Sequence, residues 1–375
     1  MHKALAPTLL TACAALLAPV VGRAETPPAV GIAIVGLVHD HARGMIPRFA
    51  GRTDARLVGI VETNPELIAR YQKEFHLPPG FFYPTLEALA AREKVQAVAA
   101  FTATSDHRSV VEACAGRGID VMMEKPLATT LADAQAIAEA AEKGRIQVVV
   151  NYETTWYPSV QKAYELLNDQ GSIGEPRKFV VHDGHEGPKA IGCSPYFLEW
   201  LTDPVRNGGG ALMDFGCYGA DLVTWMMQGR RPTSVVAVTQ HLQPDAYPRV
   251  DDEATIVITY PRCQAVIQAS WNWPYDRKDM EIYGEHGALM LPNRSTLTLR
   301  LGRAAPAAVP TPDIAGPNAD PLSYLAAVAR REIQPAGLSS LSVNLVACEI
   351  LDAARRSSAT GERVDFPPEP PHGKP

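Results

Sequence analysis

The segment NGGGALMDFGCYGADLVTWMMQG carries Asp214, then Tyr218 four positions on and Asp221 three further. On a helix that spacing puts the three polar side chains on one face. Lys125 stands in VMMEKP, at the end of an apolar run. A phenol alone titrates at about pH 10. A neighbouring ammonium favours the phenolate, so Lys125 beside Tyr218 would lower its pKa and make it a usable base. Such a base can take the proton of an alcohol while hydride leaves the carbon. The plainer reading gives Lys125 a strand-end salt bridge with Glu124 and makes Tyr218 a half-buried helix aromatic. The residues alone leave both open.

A second candidate is GLVHDHARG, residues 36–44, directly after the apolar run VGIAIV. A glycine closing a short strand opens the tight turn of a dinucleotide-binding loop. The later glycines of a G-x-G-x-x-G pattern are missing, because Val38 and His41 occupy their places and Gly44 comes late. His39, Asp40 and His41 are of metal-ligand type. No H-x-x-x-H and no third ligand cluster accompany them in the sequence, so no metal is expected. The loop reads as a modified cofactor turn whose backbone N–H groups, with His39 as a further donor, meet a pyrophosphate. The next strand, ARLVGIVE, ends at Glu62. An acid there accepts hydrogen bonds from the adenosine ribose and repels a 2′-phosphate, which predicts NAD rather than NADP.

These residues need elements to hold them. VGIAIVG, ARLVGIVE, VQAVAAFT and GIDVMMEK read as buried strands, with NPELIARYQKEF and DHRSVVEACAGR as helices between them. The β-α-β-α-β order from about residue 30 to 150 predicts a doubly wound parallel sheet, which binds ligands beyond the carboxyl ends of its strands. A chain of 375 residues has room for a second domain. Its net charge of −6, with no Lys/Arg-rich run, speaks against nucleic acid as a partner. The six cysteines are scattered without a C-x-x-C pair, so neither a disulfide framework nor a zinc cluster is expected. The first 24 residues have Lys3, an apolar stretch and small residues around Ala24, the layout of a cleaved secretory signal. A lipoprotein box ending at Cys13 and an uncleaved anchor are the lesser alternatives.

Taken together, E-K-P at 124–126 and G-G-G…D-x-G at 208–216 resemble the Gfo/Idh/MocA oxidoreductase family. TATSDHRSVVEACAGRGIDV, GSIGEPRKF and SSATGERVDF extend the likeness over nearly the whole mature chain. The resemblance implies an α/β protein: an N-terminal Rossmann domain, here 25–150, and a C-terminal α/β domain, 151–365, with an open, mostly antiparallel sheet that often forms oligomer contacts. Residues 366–375 are then a proline-rich tail. By position it makes Lys125 the catalytic lysine and Asp214 the active-site aspartate. Tyr218 stands where many members have histidine and some have tyrosine. It sets Gly36, Val38, His39, Glu62, Thr102, His107, Glu124 and Lys125 against a nicotinamide cofactor. Tyr152, His182 and Asp221 fall on the side of a carbohydrate substrate. Trp271 and Trp273 read as sheet-packing aromatics.

Export raises a difficulty, because free NAD is scarce outside the cytoplasm. With no twin-arginine pair in the leader, the chain is expected to cross unfolded and then to capture NAD and hold it tightly, or to recycle it within one catalytic cycle. Two enzyme classes fit: an oxidoreductase of a sugar or glycoside hydroxyl, and a glycosidase or lyase working through a transient 3-keto sugar. A carbohydrate-binding protein without catalysis is a third, against which Lys125, Asp214 and Tyr218 argue.

Overall fold

The computed structural model describes residues 28–367. The expected leader and all but the first residues of the expected tail lie outside them. The first sheet holds six parallel strands: β1 (Val30–Val35), β2 (Ala55–Val61), β3 (Phe82–Tyr83), β4 (Ala97–Ala100), β5 (Asp120–Glu124) and β6 (Val148–Asn151). Their order, β3-β2-β1-β4-β5-β6, reverses between β1 and β4. That reversal opens a crevice at the strand ends, where nucleotides bind in such sheets. Five helices fill the crossovers: α1 (His41–Met45), α2 (Pro65–Phe75), α3 (Leu86–Ala90), α4 (His107–Ala115) and α5 (Leu131–Gly144). Both sheet faces are covered, which is why the strands are continuous runs of Val, Ile and Ala.

The chain then runs through α6 (Pro158–Tyr164), β7 (Pro176–Gly184), α7 (Pro195–Leu201), α8 (Ala211–Asp214) and α9 (Gly216–Met226). Seven strands follow, β8 (Ser234–Gln240), β9 (Glu253–Thr259), β10 (Gln264–Ser270), β11 (Arg277–Gly284), β12 (Gly287–Asn293), β13 (Thr296–Leu301) and β14 (Ala307–Ala308), with β7 inserted between β10 and β11. After α10 (Pro321–Ala329) and α11 (Leu341–Thr360), β15 (Val364–Asp365) closes a nine-stranded sheet of order β14-β13-β12-β11-β7-β10-β9-β8-β15. Only β7 and β10 pair in parallel. The expected fold class is therefore the observed one.

This second sheet buries one face. Phe179 and Val181, Ile256 and Ile258, and Ile267 and Ala269 alternate with part-exposed neighbours and pack in one core with α9 and α11. α10 goes elsewhere. Its fully buried Leu322, Leu325 and Val328 share a core with Ile32, Ile34 and Ile60 of the first sheet. A helix from the span expected for the second domain thus completes the first and ties the two together.

Candidate active site

The turn after β1 is built by a steric demand. Gly36 has φ +80°, and a Cβ there would lie 2.7 Å from Thr102 Cγ2 and 3.0 Å from the Phe101 carbonyl oxygen. Only glycine lets the turn pass the end of β4 so closely. Glu62 reaches the same turn from the end of β2. One of its oxygens accepts from Leu37 N–H at 2.9 Å, and the other from Thr63 and Asn64 N–H, both at 2.8 Å. Val38 is tied to the second domain, its carbonyl accepting from Trp200 Nε1 at 3.3 Å. Gly36, Val38, Glu62 and Thr102 therefore meet at one strand-end crevice, as the sequence predicts. His107 lies further on, buried, with Nδ1 3.2 Å from the Leu127 carbonyl beside the E-K-P turn.

The two histidines have different fates. His39 is buried against Phe197 and Trp200 and accepts His41 N–H at Nδ1, 3.2 Å away. Burial, with His41 and Lys125 nearby, holds its pKa well below the usual imidazole value, so it is neutral. His41 turns its Nδ1 to Glu124 Oε2 at 3.0 Å, and Glu124 Oε1 accepts from Asn151 Nδ2 at 2.9 Å. Partial burial opposes charge on His41, but the Glu124 carboxylate overrides it and raises the pKa. A third residue of ligand type does join the loop in space. His39, His41 and Glu124 each offer an atom within 4.8 Å of the others, a geometry that could hold a metal ion. Glu124 comes from 83 residues away in the chain, which is why the loop sequence shows nothing of it.

Lys125 follows Glu124 at the end of β5, joined to Pro126 by a cis peptide. Its ammonium donates to the Asp214 carboxylate and, at 2.9 Å, to the Asp214 carbonyl. Asp214 is fixed from two further sides. Trp271 Nε1 donates to its second carboxylate oxygen at 2.9 Å. The Asp251 carboxylate caps α8, accepting from Gly210 and Leu212 N–H at 2.9 and 2.7 Å. The triple glycine permits this approach, because a Cβ on Gly210 would fall 1.7 Å from the Asp251 carbonyl oxygen. Burial disfavours both charges, yet each is held by the other, so Lys125 is raised and Asp214 lowered. The pair is a buried ammonium–carboxylate.

Tyr218 lines the interdomain cavity, about 520 Å³ in volume, with His41, Glu124, Asn151, Glu153 and Trp156. Lys125 Nζ stands 5.2 Å and Lys278 Nζ 5.5 Å from its ring centroid. Lys125 does not make it a phenolate, contrary to expectation. The ammonium is spent on Asp214, and burial, with Glu153 near, pushes the phenol well above its usual pKa. The shared helix face also fails: α8 ends at Asp214, and α9 begins only after Phe215. Asp221, fully buried with no partner for either carboxyl oxygen, lies in the core rather than on the cavity. Tyr152 is likewise buried and does not line the cavity, its ring edge-on to Tyr218 at 5.3 Å. His182 faces the other side of the sheet, where its Nδ1 meets Asp279 at 2.8 Å.

Its neighbour Asp183 points inward instead, and Lys278 stands opposite it in register. The inward alternation of Phe179 and Val181 would have identified it. Lys278 donates to Glu153 at 2.6 Å, and Tyr157 OH donates to the same carboxylate at 2.7 Å. Sequence reading missed this group because its members come from β11 and the stretch after β6. It also missed Trp271, read as a packing residue.

Residues 30–152 match the family described as an oxidoreductase family with an NAD-binding Rossmann fold, and residues 160–290 match the GFO/IDH/MocA C-terminal domain. Trans-1,2-dihydrobenzene-1,2-diol dehydrogenase of Xenopus tropicalis is 25% identical over 64% of this chain and 68% of its own length. D-apiose dehydrogenase of Paraburkholderia graminis is 30% identical over 32% of each chain. The fold overlays the aldose-aldose oxidoreductase of Caulobacter crescentus with a TM-score of 0.76 at 25% identity, covering 90% of this chain and all (100%) of the other. An inositol dehydrogenase homologue from Azotobacter vinelandii, solved with NAD+, gives 0.78 at 19% identity over 91% and 98%. With a parallel cofactor-type sheet, a buried Lys125–Asp214 pair joining the two domains and both domains matched, the chain belongs to the Gfo/Idh/MocA family of NAD-binding oxidoreductases.

Proposed function

We propose that the protein moves hydride between a sugar or glycoside hydroxyl and NAD, held in preference to NADP. The carrying observation is the Lys125–Asp214–Trp271 arrangement at the end of β5, beside the open hydroxyl of Tyr218. Gly36, Val38, Glu62, Thr102 and Glu124 suit a dinucleotide: the turn is stripped of side chain and an acid stands where a ribose would lie. When bound, the nicotinamide supplies the acceptor or donor of hydride. The chain's own residues handle the oxygen. Lys125, oriented by Asp214, donates a hydrogen bond to the substrate oxygen and stabilises negative charge on it. Tyr218 passes the proton, its hydroxyl having no partner among the described residues.

With Lys125 and Tyr218 both protonated at rest, carbonyl reduction meets a ready acid, whereas alcohol oxidation needs a proton removed first. Oxidation should therefore speed up with rising pH. Names of relatives such as aldose-aldose oxidoreductase and D-apiose dehydrogenase support sugars as the substrate class. Tight retention of NAD and export to the periplasm belong to the same proposal, resting on the leader. Assembly of copies through the second sheet rests on its outer face, where Val238 is 61% exposed. The test mixes NAD-loaded protein with a panel of sugars and glycosides and follows nicotinamide absorbance and products. Reduction with a keto-sugar product is expected. Free aglycone without net reduction would replace this reading with the lyase one, and no reaction with any sugar would end it. The loop histidines are proposed as cofactor-turn residues, so untagged protein should carry no stoichiometric metal by elemental analysis.

A further inference from the structure

We infer that the substrate carries an anionic group, a carboxylate or a phosphate ester, held between Arg48 of the cofactor domain and Arg294 of the second domain. The inference rests on the oxidoreductase reading of this cleft and narrows its substrate class.

Both arginines line the cavity, Arg48 from the cofactor domain and Arg294 from the second domain. Arg48 belongs to the row His41, Gly44, Met45 and Arg48, whose spacing presents one helical face to the cavity. Arg294 sits in the turn between β12 and β13, and that turn is pinned. Ser159, fully buried, donates its N–H to the Arg294 carbonyl at 3.1 Å and its hydroxyl to the Asn293 carbonyl at 2.9 Å. The guanidinium lies 5.7 Å from the Tyr157 ring, which holds it at the rim.

Three of the four acids that line the cavity have cationic partners. Glu124 is bound by His41 and Asn151, and Glu153 by Lys278 and Tyr157. Asp320 meets Arg52 at 3.2 Å and caps α10 through Leu322 N–H at 2.9 Å. Asp40 accepts from Ser194 N–H at 2.7 Å. Lys125 and Lys278 are ion-paired with Asp214 and Glu153. Among the described residues, no carboxylate lies within ion-pair distance of Arg48 or Arg294. Two arginines lining one cavity with no carboxylate in ion-pair distance are available to an external anion, which each guanidinium can bind through two N–H groups. A cofactor diphosphate does not fill that need. It is expected at the Gly36–His41 turn, whereas Arg48 lies seven residues beyond His41, past the end of α1, about 10 Å away at a helical rise. A bound anion would also bridge the two domains.

The test uses NAD-loaded protein and matched sugars: glucose with glucuronate and glucose 6-phosphate, galactose with galacturonate. Calorimetry should show an acidic member bound at least about tenfold tighter than its neutral partner, with the advantage shrinking as salt rises. Carboxylate and phosphate forms of one sugar tell the two anions apart. Arg48→Gln and Arg294→Gln should each cost the acid roughly tenfold in affinity while the Kd for NAD holds. Neutral sugars binding as tightly as the acids in every pair, or no sugar binding at all, would overturn the inference. So would an Arg48→Gln variant that loses NAD affinity but keeps its acid preference. Stopped-flow reduction separates this from the parent reading. Acid binding without any reduction sinks the hydride reading alone, and equal reduction by neutral and acidic sugars sinks only the anion.

Discussion

On the cofactor side of the cleft, the contact that shapes the turn is short in sequence: Leu37 and the Glu62 carboxylate are 25 positions apart, joined by one strand and its crossover, although Val38 also reaches Trp200, 162 positions away. On the substrate side, Lys125 and Asp214 are 89 apart, Trp271 and Asp214 57, and Lys278 and Glu153 125. The first wall is mostly backbone, shaped by a glycine turn and strand ends. The second is a set of side-chain pairs in which each charge depends on a partner from another element. Loss of one member should therefore be local on the cofactor wall and shared on the substrate wall.

The largest break is expected at Lys125. Lys125→Ala should lower turnover by about 10²–10⁴-fold while NAD affinity stays near wild type, because the cofactor wall keeps its own contacts. Since Lys125 and Asp214 act as a unit, adding Asp214→Asn should make matters little worse. Single-turnover reduction beside NAD titration measures both. Full additivity of the two losses would show that the wall is not built of interdependent pairs.

Glu62→Ala attacks the other wall. Removing an acceptor for the ribose and its repulsion of a 2′-phosphate should weaken NAD by roughly 10–100-fold relative to NADP, with kcat at saturating cofactor little changed. Equal NAD and NADP affinities in the wild type would already contradict the assignment.

That asymmetry explains what could be read in advance. Alternating apolar runs and one glycine announced the parallel sheet, and Glu62 followed from its place at a strand end. Lys125 and Asp214 were reached as site residues through the E-K-P and G-G-G…D-x-G motifs, but their pairing was not, because nothing local joins residues so distant. Three expectations failed where helix or strand geometry was taken one step too far. Asp214, Tyr218 and Asp221 were put on one helix, which breaks at Phe215 and leaves Asp214 apart, while Asp221 turns into the core. His182 was given the inward place that β7 assigns to Asp183. Tyr218 was credited with a cation that is already committed to Asp214. Trp271 looked like packing because an indole N–H reveals its acceptor only in three dimensions.

Trp271→Phe sharpens the comparison at smaller cost. It keeps the ring but removes one donor from Asp214, whose bonds to Lys125 remain. A charge-assisted bond of this kind supports a loss of about tenfold in kcat, with NAD binding unaffected. An unchanged kcat would mean that Lys125 alone orients Asp214.

The smallest effect belongs to the link between the walls. His41 sits in the cofactor turn yet pairs with Glu124, next to Lys125, and its side chain is 56% exposed. Its folded pKa is raised by Glu124. The pair's contribution to stability is thus complete below the unfolded imidazole value of about 6.5 and is lost as pH rises through the folded one. A partly exposed pair is worth at most about 1 kcal/mol. Melting should therefore be higher near pH 6 than near pH 9 by no more than roughly 3 °C on this account. In His41→Gln that increment should vanish, because the replacement keeps a hydrogen-bond donor but cannot titrate. Other groups titrate over the same range, so the difference between the two proteins is the quantity to read. An identical pH profile for both would place the stabilising charge of Glu124 elsewhere, with Lys125 as its remaining cation, and would leave the cofactor turn independent of the catalytic pair.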